Sequence, residues 1–326
     1  MASWAAAFAN AGWEVTVLTP EKYESPVHGS LNLHYEFPPG VEIIESPLPF
    51  KKVGFGQTQN RLKRKINQIL DYIRYSSWIR RATKAGRRRL DEIDLLVSSF
   101  GPWHTHAIAA KLSSRKPGMP WIADYRDVWT GRDLFRGAML TTRYMVRDSK
   151  RYEQRTLRNA ALLTTVSEPL AKILRDGLGK PCEVIYNGFE GECSPASVLQ
   201  PLDERFDVVY TGGIYRRFHD PTPLFRVLQE LRESDGLPKN FRLHFYGQSA
   251  DFPFLNKWLQ EFQIDDIVEL HGHVSREESL AAQRGAHALL FLSWVNKDSD
   301  ENISGKIFEY FAAGRPIISI GSGPAS

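Results

Sequence analysis

Short apolar runs alternate along the chain with longer segments whose apolar residues recur at helical spacing. The runs at 14–19, 95–98 and 287–292 are apolar or β-branched and predict buried strands. Segments between such runs, for example 104–113 and 223–233, predict helices. Strands that alternate with helices require parallel sheets with helices on their faces. The pattern therefore predicts an α/β protein.

The alternation stops at 190–204, which is rich in Gly, Pro, Ser and acidic residues and has no apolar period. We interpret it as a linker between two Rossmann-like domains, 1–195 and 205–326, because a chain of 326 residues favours two domains. The first domain begins with a helix and the second ends directly after a strand. Because parallel sheets are normally covered on both faces, we expect the sequence to be an internal piece of a longer protein.

Charge is concentrated in one predicted helix. Residues 61–90 contain eleven Lys or Arg residues and one acid, a balance of +10, whereas the whole chain carries +4. Apolar residues recur among these charges, at Leu62, Ile66, Ile69, Leu70 and Ile73. This is the pattern of an amphipathic helix on an anionic membrane surface, or equally of a helix whose apolar face is core. A nucleic-acid partner is not expected, because no recognised binding module surrounds the patch.

The remaining composition favours a cytoplasmic protein. No run of about 18 apolar residues predicts a membrane-spanning helix. The two cysteines, Cys182 and Cys193, lack metal-type or redox spacing. A peripheral position at the inner face of the cell membrane is expected only if the basic stretch binds lipid.

A candidate ligand site lies at 301–316, between two apolar strands. Glu301 and Glu309 lie eight positions apart across the start of a short predicted helix. A carboxylate can accept hydrogen bonds from both hydroxyls of a diol such as ribose. The N–H groups at a helix start favour a diphosphate, here at Ser304, Gly305 and Lys306. This arrangement indicates a nucleotide-linked substrate.

A second candidate group follows the predicted strand at 121–123. Asp124, Arg126 and Asp127 come directly after it, where side chains of a parallel sheet reach a ligand crevice. A carboxylate beside a ligand hydroxyl can accept or orient its proton, so Asp127 or Asp124 is a candidate base, whereas arginine cannot act as one. The alternative is an Asp–Arg ion pair that fixes the loop. His106 is a further acceptor-side candidate, or else a packing residue near a helix end.

Several motifs in one order resemble a known family. The segment Gly-Lys-Ile-Phe-Glu-Tyr-Phe-Ala-Ala-Gly-Arg-Pro at 305–316 resembles the donor-binding signature of GT-B glycosyltransferases of family 4. Further segments resemble other markers of that family in the expected order, at 12–20, 120–129, 165–167, 184–189 and 210–213. The resemblance covers essentially the whole chain and implies a GT-B fold, in which two Rossmann-like domains with parallel sheets face across a cleft.

The resemblance also implies a reaction, the transfer of a sugar from a nucleotide-sugar to an acceptor hydroxyl, usually with retention at the anomeric carbon. It implies that Glu309 holds the ribose, that Glu301 faces the donor sugar, and that the turn containing Gly213 lies against the diphosphate. Many members carry an Arg and a Lys spaced a few residues apart after this turn. This chain instead has adjacent Arg216 and Arg217, and either could neutralise the leaving diphosphate.

We therefore expect a metal-independent transferase of polysaccharide or cell-surface glycan assembly. Asp127 and Glu301 are its catalytic candidates. It needs no cofactor, because the nucleotide-sugar is a substrate, and its acceptor is a glycan or a lipid-linked molecule. Two alternatives remain, a non-catalytic nucleotide-sugar-binding protein and a nucleotide-sugar epimerase. A nicotinamide enzyme is disfavoured, since no Gly-x-Gly-x-x-Gly follows a strand.

Overall fold

The chain forms two compact units, Met1–Ile185 and Tyr186–Ser326. The computed structural model describes residues 2–21, 37, 39–47, 61–100, 103–127, 129, 143–189, 205–214, 219–247, 252–293 and 304–321. The linker predicted at 190–204 lies outside these residues. Both units contain only parallel strand pairs among the described residues, as predicted for this α/β chain.

The described residues of the first unit form two parallel sheets. One pairs β1 (Val15–Pro20) with β2 (Val41–Ser46). The other has the order β3-β4-β5-β6 and consists of Leu96–Ser99, Trp121–Tyr125, Leu162–Thr165 and Cys182–Val184. Its helices are α1 (Ala2–Asn10), α2 (Arg61–Gly86), α3 (His104–Ser113), α4 (Arg143–Leu157) and α5 (Glu168–Leu178), with a 3₁₀ turn at Leu90–Glu92.

The C-terminal half of α2 belongs to the core. Trp78, Ile79 and Ala82 are buried in one cluster with apolar residues of α3 and the loop after it, Ala107, Ile108, Leu112 and Met119. The apolar face here is therefore core rather than a lipid-binding surface. In the predicted stripe further upstream, Ile66 and Leu70 are half-buried, and the side chains of Leu62, Ile69 and Ile73 lie outside the described residues.

In the second unit, the part of the chain that the structure describes forms one five-stranded parallel sheet with the order β11-β10-β7-β8-β9. Its strands are β7 (Phe206–Thr211), β8 (Phe241–Tyr246), β9 (Val268–Gly272), β10 (Ala288–Leu292) and β11 (Ile317–Ile320). Its helices are α6 (Thr222–Glu233), α7 (Phe252–Glu261), α8 (Arg276–Gly285) and α9 (Lys306–Ala313). No helix among the described residues is long and apolar enough to cross a membrane.

The central strand β7 determines where a ligand can bind. The chain runs from β7 to β8 and β9 on one side, and then returns to place β10 and β11 on the other. Ligands of open α/β sheets bind at such a reversal of strand order, beyond the carboxyl ends of the strands. This point coincides with the end of β7, which is buried from Asp207 to Thr211.

Candidate functional site

The turn after β7 is packed too closely for a side chain. Gly212 has a φ of 112°, and a Cβ there would lie 2.8 Å from Lys306 Nζ. A Cβ on Gly247, at the end of β8, would lie 2.5 Å from the carbonyl oxygen of Gly212. The carbonyl of Gly213 accepts a hydrogen bond from the Tyr210 hydroxyl at 2.8 Å. Glycine is required here because φ is positive and because two neighbouring elements approach the backbone.

Helix α9 is attached to β7 by a buried hydrogen-bond network. The backbone N–H of Thr211 donates to the hydroxyl of Tyr310 at 3.0 Å. Gln283 Nε2 on α8 donates to Thr211 Oγ1, also at 3.0 Å. Tyr310 and Gln283 are fully buried, and burial raises the pKa of Tyr310 to about 12. The start of α9 is therefore held at a fixed position beside the glycine turn.

Lys306 places an ammonium group between these elements. Its Nζ lies 4.0 Å from the centroid of the Tyr210 ring. Burial lowers the pKa of Lys306 to about 7, although the nearby Glu309 carboxylate raises it. Burial also lowers the pKa of His219 to about 4, with a further contribution from Lys306. An anion at the turn would favour the charged form of Lys306, which its surroundings otherwise disfavour.

The N-terminus of α9 is open to solvent. Ser304 and Gly305 are exposed, and a Cβ on Gly305 would meet no atom within 4 Å. One helical turn further along, Glu309 keeps 30% of its side chain exposed, and its Oε1 accepts a hydrogen bond from Arg276 at 3.1 Å. A helix start that faces solvent and has an adjacent cation is suited to a phosphate group.

The structure thus brings five of the predicted donor-side residues to one place, Gly213, Ser304, Gly305, Lys306 and Glu309. Arg216, Arg217 and Glu301 lie outside the described residues. Sequence reasoning did not identify Tyr310, although it follows Lys306 by one helical turn. It also missed Arg276, which is 33 positions from its partner Glu309 and is marked by no local pattern.

In the first unit, Asp124 joins three strands. Its Oδ1 accepts a hydrogen bond from Thr164 on β5 at 3.0 Å, and its Oδ2 accepts one from Ser99 on β3 at 2.9 Å. Arg126 Nε also donates to Oδ2, at 3.0 Å, and the Arg126 guanidinium lies 5.4 Å from the centroid of the Trp4 ring. Asp124 is 1% exposed. Asp124 therefore forms an ion pair with Arg126, which was the predicted alternative to a role as a base.

Asp127 differs from Asp124 in its surroundings. The residue is exposed, while partial desolvation by the neighbouring protein raises the pKa of its carboxyl group. A carboxylate with a raised pKa is a better proton acceptor than an ordinary one. Of the two aspartates considered as bases, Asp127 is the one that solvent can reach.

His106 lies in the core of the first unit. It is fully buried beside Tyr125, with ring centroids 4.9 Å apart, and burial lowers its pKa to about 3. Trp121 Nε1 donates to Ser98 Oγ at 2.8 Å, so the Ser98 hydroxyl is free to donate to His106 Nδ1, also at 2.8 Å. His106 thus has no exposed atom with which to contact an acceptor, and this geometry favours the packing role.

Comparisons with known proteins concern the family and the fold of the chain. The family model of the glycosyl transferase 4-like domain matches residues 1–188. Sucrose-phosphate synthase from Thermosynechococcus elongatus superposes with a TM-score of 0.58 at 16% identity, covering 98% of this chain and 74% of that one. HepE of Anabaena in complex with UDP gives a TM-score of 0.54 at 14% identity, covering 87% and 68%.

No match was found among curated proteins. The structural matches show the fold, which is GT-B as expected, with two Rossmann-like domains. The family model covers more than half of the chain. The chain therefore belongs to the glycosyl transferase 4-like family and is a glycosyltransferase.

Proposed function

We propose that this glycosyltransferase moves a sugar from a nucleoside-diphosphate sugar to an acceptor hydroxyl, with retention at the anomeric carbon and without a metal ion. The observation that carries the proposal is the position of Lys306. Its ammonium group lies against the Gly212 turn, at the start of α9, in surroundings that lower its pKa to about 7. A partly buried cation of this kind is stabilised by a paired anion.

The donor's diphosphate fits the chemistry of this place. The helix dipole at the start of α9 and the Lys306 side chain both favour negative charge. When the bond between the sugar and the diphosphate breaks, negative charge grows on the leaving phosphate, and groups already in position stabilise it without reorganisation. These residues supply the electrostatic role that a metal ion has in other transferases, and Arg216 or Arg217 is proposed to add to it.

Glu309 is proposed to bind the ribose. Its carboxylate lies one turn along α9 from Lys306, and its ion pair with Arg276 fixes the orientation of Oε1. Oε2 can accept from a ribose hydroxyl, since a carboxylate has several acceptor positions. Glu301 is proposed to face the donor sugar as a catalytic residue. HepE has been observed with UDP and with UDP-glucose, so uridine donors are the first to test.

On the acceptor side, we assign the proton acceptor to Asp127. It is exposed, and the pKa of its carboxyl group is raised by desolvation. Asp124 and Arg126 are proposed to hold the loop that carries it. The acceptor is proposed to be a growing glycan or a lipid-linked sugar of polysaccharide or cell-surface glycan assembly. The basic residues of 61–90 would bring the enzyme to an anionic membrane that carries such an acceptor.

Donor binding is tested by isothermal titration of UDP, GDP and ADP into the parent chain, Lys306→Met, Glu309→Gln and Glu277→Gln. Glu277 is an exposed carboxylate in the first turn of α8, so Glu277→Gln removes the same charge in the same unit. We expect Lys306→Met and Glu309→Gln each to weaken binding of the preferred nucleotide about tenfold or more, consistent with the loss of a hydrogen bond to a charged group. Equal affinity of Glu309→Gln and the parent would refute the ribose assignment.

Transfer is tested separately from binding. The expected reaction releases nucleoside diphosphate only when an acceptor is present, keeps the donor's anomeric configuration in the product by NMR, and continues in EDTA. Asp127→Asn should bind nucleotide normally and lose most of its turnover. Nucleotide binding without any transfer would indicate the non-catalytic alternative. Interconversion of donor sugars without an acceptor would indicate an epimerase.

A further inference from the structure

A cluster of metal-ligating side chains lies on β8 and β9, outside the residues assigned to the donor. His244, Glu269 and His271 each direct one potential ligand atom to a common point, and these atoms lie within 4.8 Å of one another. It is the one such group of three found among the described residues. The geometry points to a binding site for a divalent transition-metal cation such as Zn²⁺, ligated by His244 Nδ1, His271 Nε2 and Glu269 Oε2.

The separations between the three ligand atoms fit tetrahedral coordination. His244 Nδ1 lies 2.9 Å from His271 Nε2, and Glu269 Oε2 lies 3.4 Å from the first and 3.6 Å from the second. Zinc bonds to histidine nitrogen and carboxylate oxygen are about 2.0–2.2 Å long, so tetrahedral ligands lie about 3.4 Å apart. Two of the separations are close to this value. The third separation, 2.9 Å between the two histidine nitrogens, needs to widen only slightly. The cation would then take the place of the proton that these two nitrogens share.

Strand register explains why these side chains meet. His244 pairs directly with Glu269, and in a parallel sheet paired residues project from the same face. His271 is two positions beyond Glu269 and shares that face. A bulge between Phe245 and Tyr246 shifts the register there, so that Tyr246 pairs with Gly272. Bulges of this kind redirect side chains near functional sites.

A second layer of contacts orients the ligands. Asp207 Oδ1 lies 3.0 Å from His244 Nε2, and Arg205 pairs with the other oxygen of Asp207. With its Nε2–H directed at a carboxylate, His244 presents the lone pair of Nδ1, as in the carboxylate–histidine–zinc arrangement. The Tyr246 ring stacks on His271 with centroids 4.3 Å apart and an interplanar angle of 6°. The ring of His271 is thus held in place as well.

The site also has an entry path and suitable chemistry. Asp207, His244 and Tyr246 line a cleft of about 230 Å³ between the sheet and α8, and Glu269 and His271 are exposed. Two imidazole nitrogens beside one carboxylate suit Zn²⁺ rather than Mg²⁺ or Ca²⁺, which prefer oxygen ligands throughout. Three protein ligands leave the fourth position to water. Because β9 is the edge strand of the sheet, a cation here would join it to β8.

The experiment measures zinc directly and needs no enzyme activity. The tag-free chain is stripped with EDTA, exchanged into chelator-free buffer and titrated with Zn²⁺ against a chromophoric indicator, in parallel with His271→Ala, Glu269→Gln and His273→Ala. His273 is an exposed histidine two positions beyond His271 and serves as the matched control. We expect one tight zinc in the parent and in His273→Ala, and at least a tenfold loss of affinity in His271→Ala and Glu269→Gln.

Cobalt gives a spectroscopic check on the ligands. Co²⁺ should produce the visible absorption of a four-coordinate site in the parent, and this absorption should disappear in His271→Ala. Zinc should raise the melting temperature of the parent and of His273→Ala, and it should leave the melting temperature of His271→Ala unchanged. Zinc affinity equal in His271→Ala and the parent, or equally weakened in His273→Ala, would overturn the proposal.

Discussion

At the scale of single residues, Lys306 shows how the surroundings of one side chain make it sensitive to a ligand. A lysine surrounded by protein loses hydration that only a counter-charge can replace. The described groups that act on Lys306 are Glu309, which favours its charge, and His219, whose own pKa is lowered to about 4 and which is therefore neutral near pH 7. With its pKa lowered to about 7, Lys306 should be largely deprotonated at pH 8 until an anion binds.

Binding of a nucleoside diphosphate should therefore take up a proton. The phosphate raises the pKa of Lys306, while the ligand's own last pKa, near 6, leaves it fully ionised at about pH 8. We expect uptake approaching one proton at that pH, and almost none in Lys306→Met. Calorimetric titration in two buffers of different ionisation enthalpy measures the number of protons. Uptake that is unchanged in Lys306→Met would show that another group titrates.

The same lowered pKa makes the stability of the unliganded chain depend on pH. Between the folded-state pKa of about 7 and the unfolded value near 10.5, the unfolded chain holds a proton that the folded chain does not. The free energy of unfolding should therefore rise with pH across this window. The stability that Lys306 contributes above its unfolded-state pKa should be lost as the pH falls through 7. Urea unfolding at several pH values should show a flatter dependence in Lys306→Met than in the parent.

Single residues also show which features of the site follow from local sequence and which depend on tertiary packing. Gly305, Lys306 and Glu309 were predicted as one site because helix starts follow from local pattern. Local sequence could not show that Lys306 lies over the Tyr210 ring, because this contact spans 96 positions and depends on packing. His106 was predicted on the acceptor side because it follows a strand, whereas aromatic neighbours from several elements bury it. Burial of this kind is a property of the tertiary structure.

At the scale of elements, the attachment of α9 to β7 determines the geometry of the site. Most strands and helices were predicted from periodicity to within a few residues, as for α3 at His104–Ser113. The strand order β11-β10-β7-β8-β9 was not predicted, since it depends on crossovers that local pattern does not encode. That order makes β7 central, and Tyr310 then connects α9 to the end of β7 through the Thr211 N–H.

Removal of the Tyr310 hydroxyl should loosen this attachment. Tyr310→Phe leaves the buried Thr211 N–H without its acceptor, which should cost about 1–3 kcal/mol in the free energy of unfolding. Nucleotide affinity should fall as well, because Lys306 is on the same helix. Tyr186→Phe removes a hydroxyl from a residue that is 57% exposed in the same unit and should change stability by less than about 0.5 kcal/mol. Urea denaturation distinguishes the two variants.

The close packing of the end of β8 against the turn after β7 can be tested by adding one methyl group. Gly247→Ala would place a methyl group 2.5 Å from the Gly212 carbonyl oxygen, so the turn must move. We expect a loss of about 1–3 kcal/mol in stability and weaker nucleotide binding. Gly285→Ala is the control, because a Cβ there meets no atom within 4 Å and its φ is not positive. Equal nucleotide affinity in Gly247→Ala and Gly285→Ala would contradict the close fit of the turn.

At the scale of the whole molecule, charge is distributed unevenly. Residues 61–90 carry +10 in a chain whose total is +4. The buried face of the C-terminal half of α2 packs on α3, so its basic residues project from a helix that is anchored to the first unit. Arg80, Lys84 and Arg87 are exposed on or just beyond this half. Core packing and a basic outer surface are thus properties of one helix: the apolar face of this half is core, and its exposed basic residues are what an anionic membrane could attract.

This surface should bind anionic membranes through charge rather than insertion. Each exposed Lys or Arg near such a surface contributes about 1 kcal/mol, so replacing Arg80, Lys84 and Arg87 by Gln should lower partitioning onto phosphatidylserine vesicles about 100-fold.

The matched triple variant, Arg226, Lys239 and Lys257 to Gln, removes the same charge from exposed positions in the second unit. Sedimentation with neutral and anionic vesicles measures both. Binding of the parent should also weaken steeply as salt shortens the Debye length from about 10 Å at 0.1 M to about 3 Å at 1 M. Equal loss in both triple variants would mean that net charge alone, and not the surface of α2, attracts the protein to lipid.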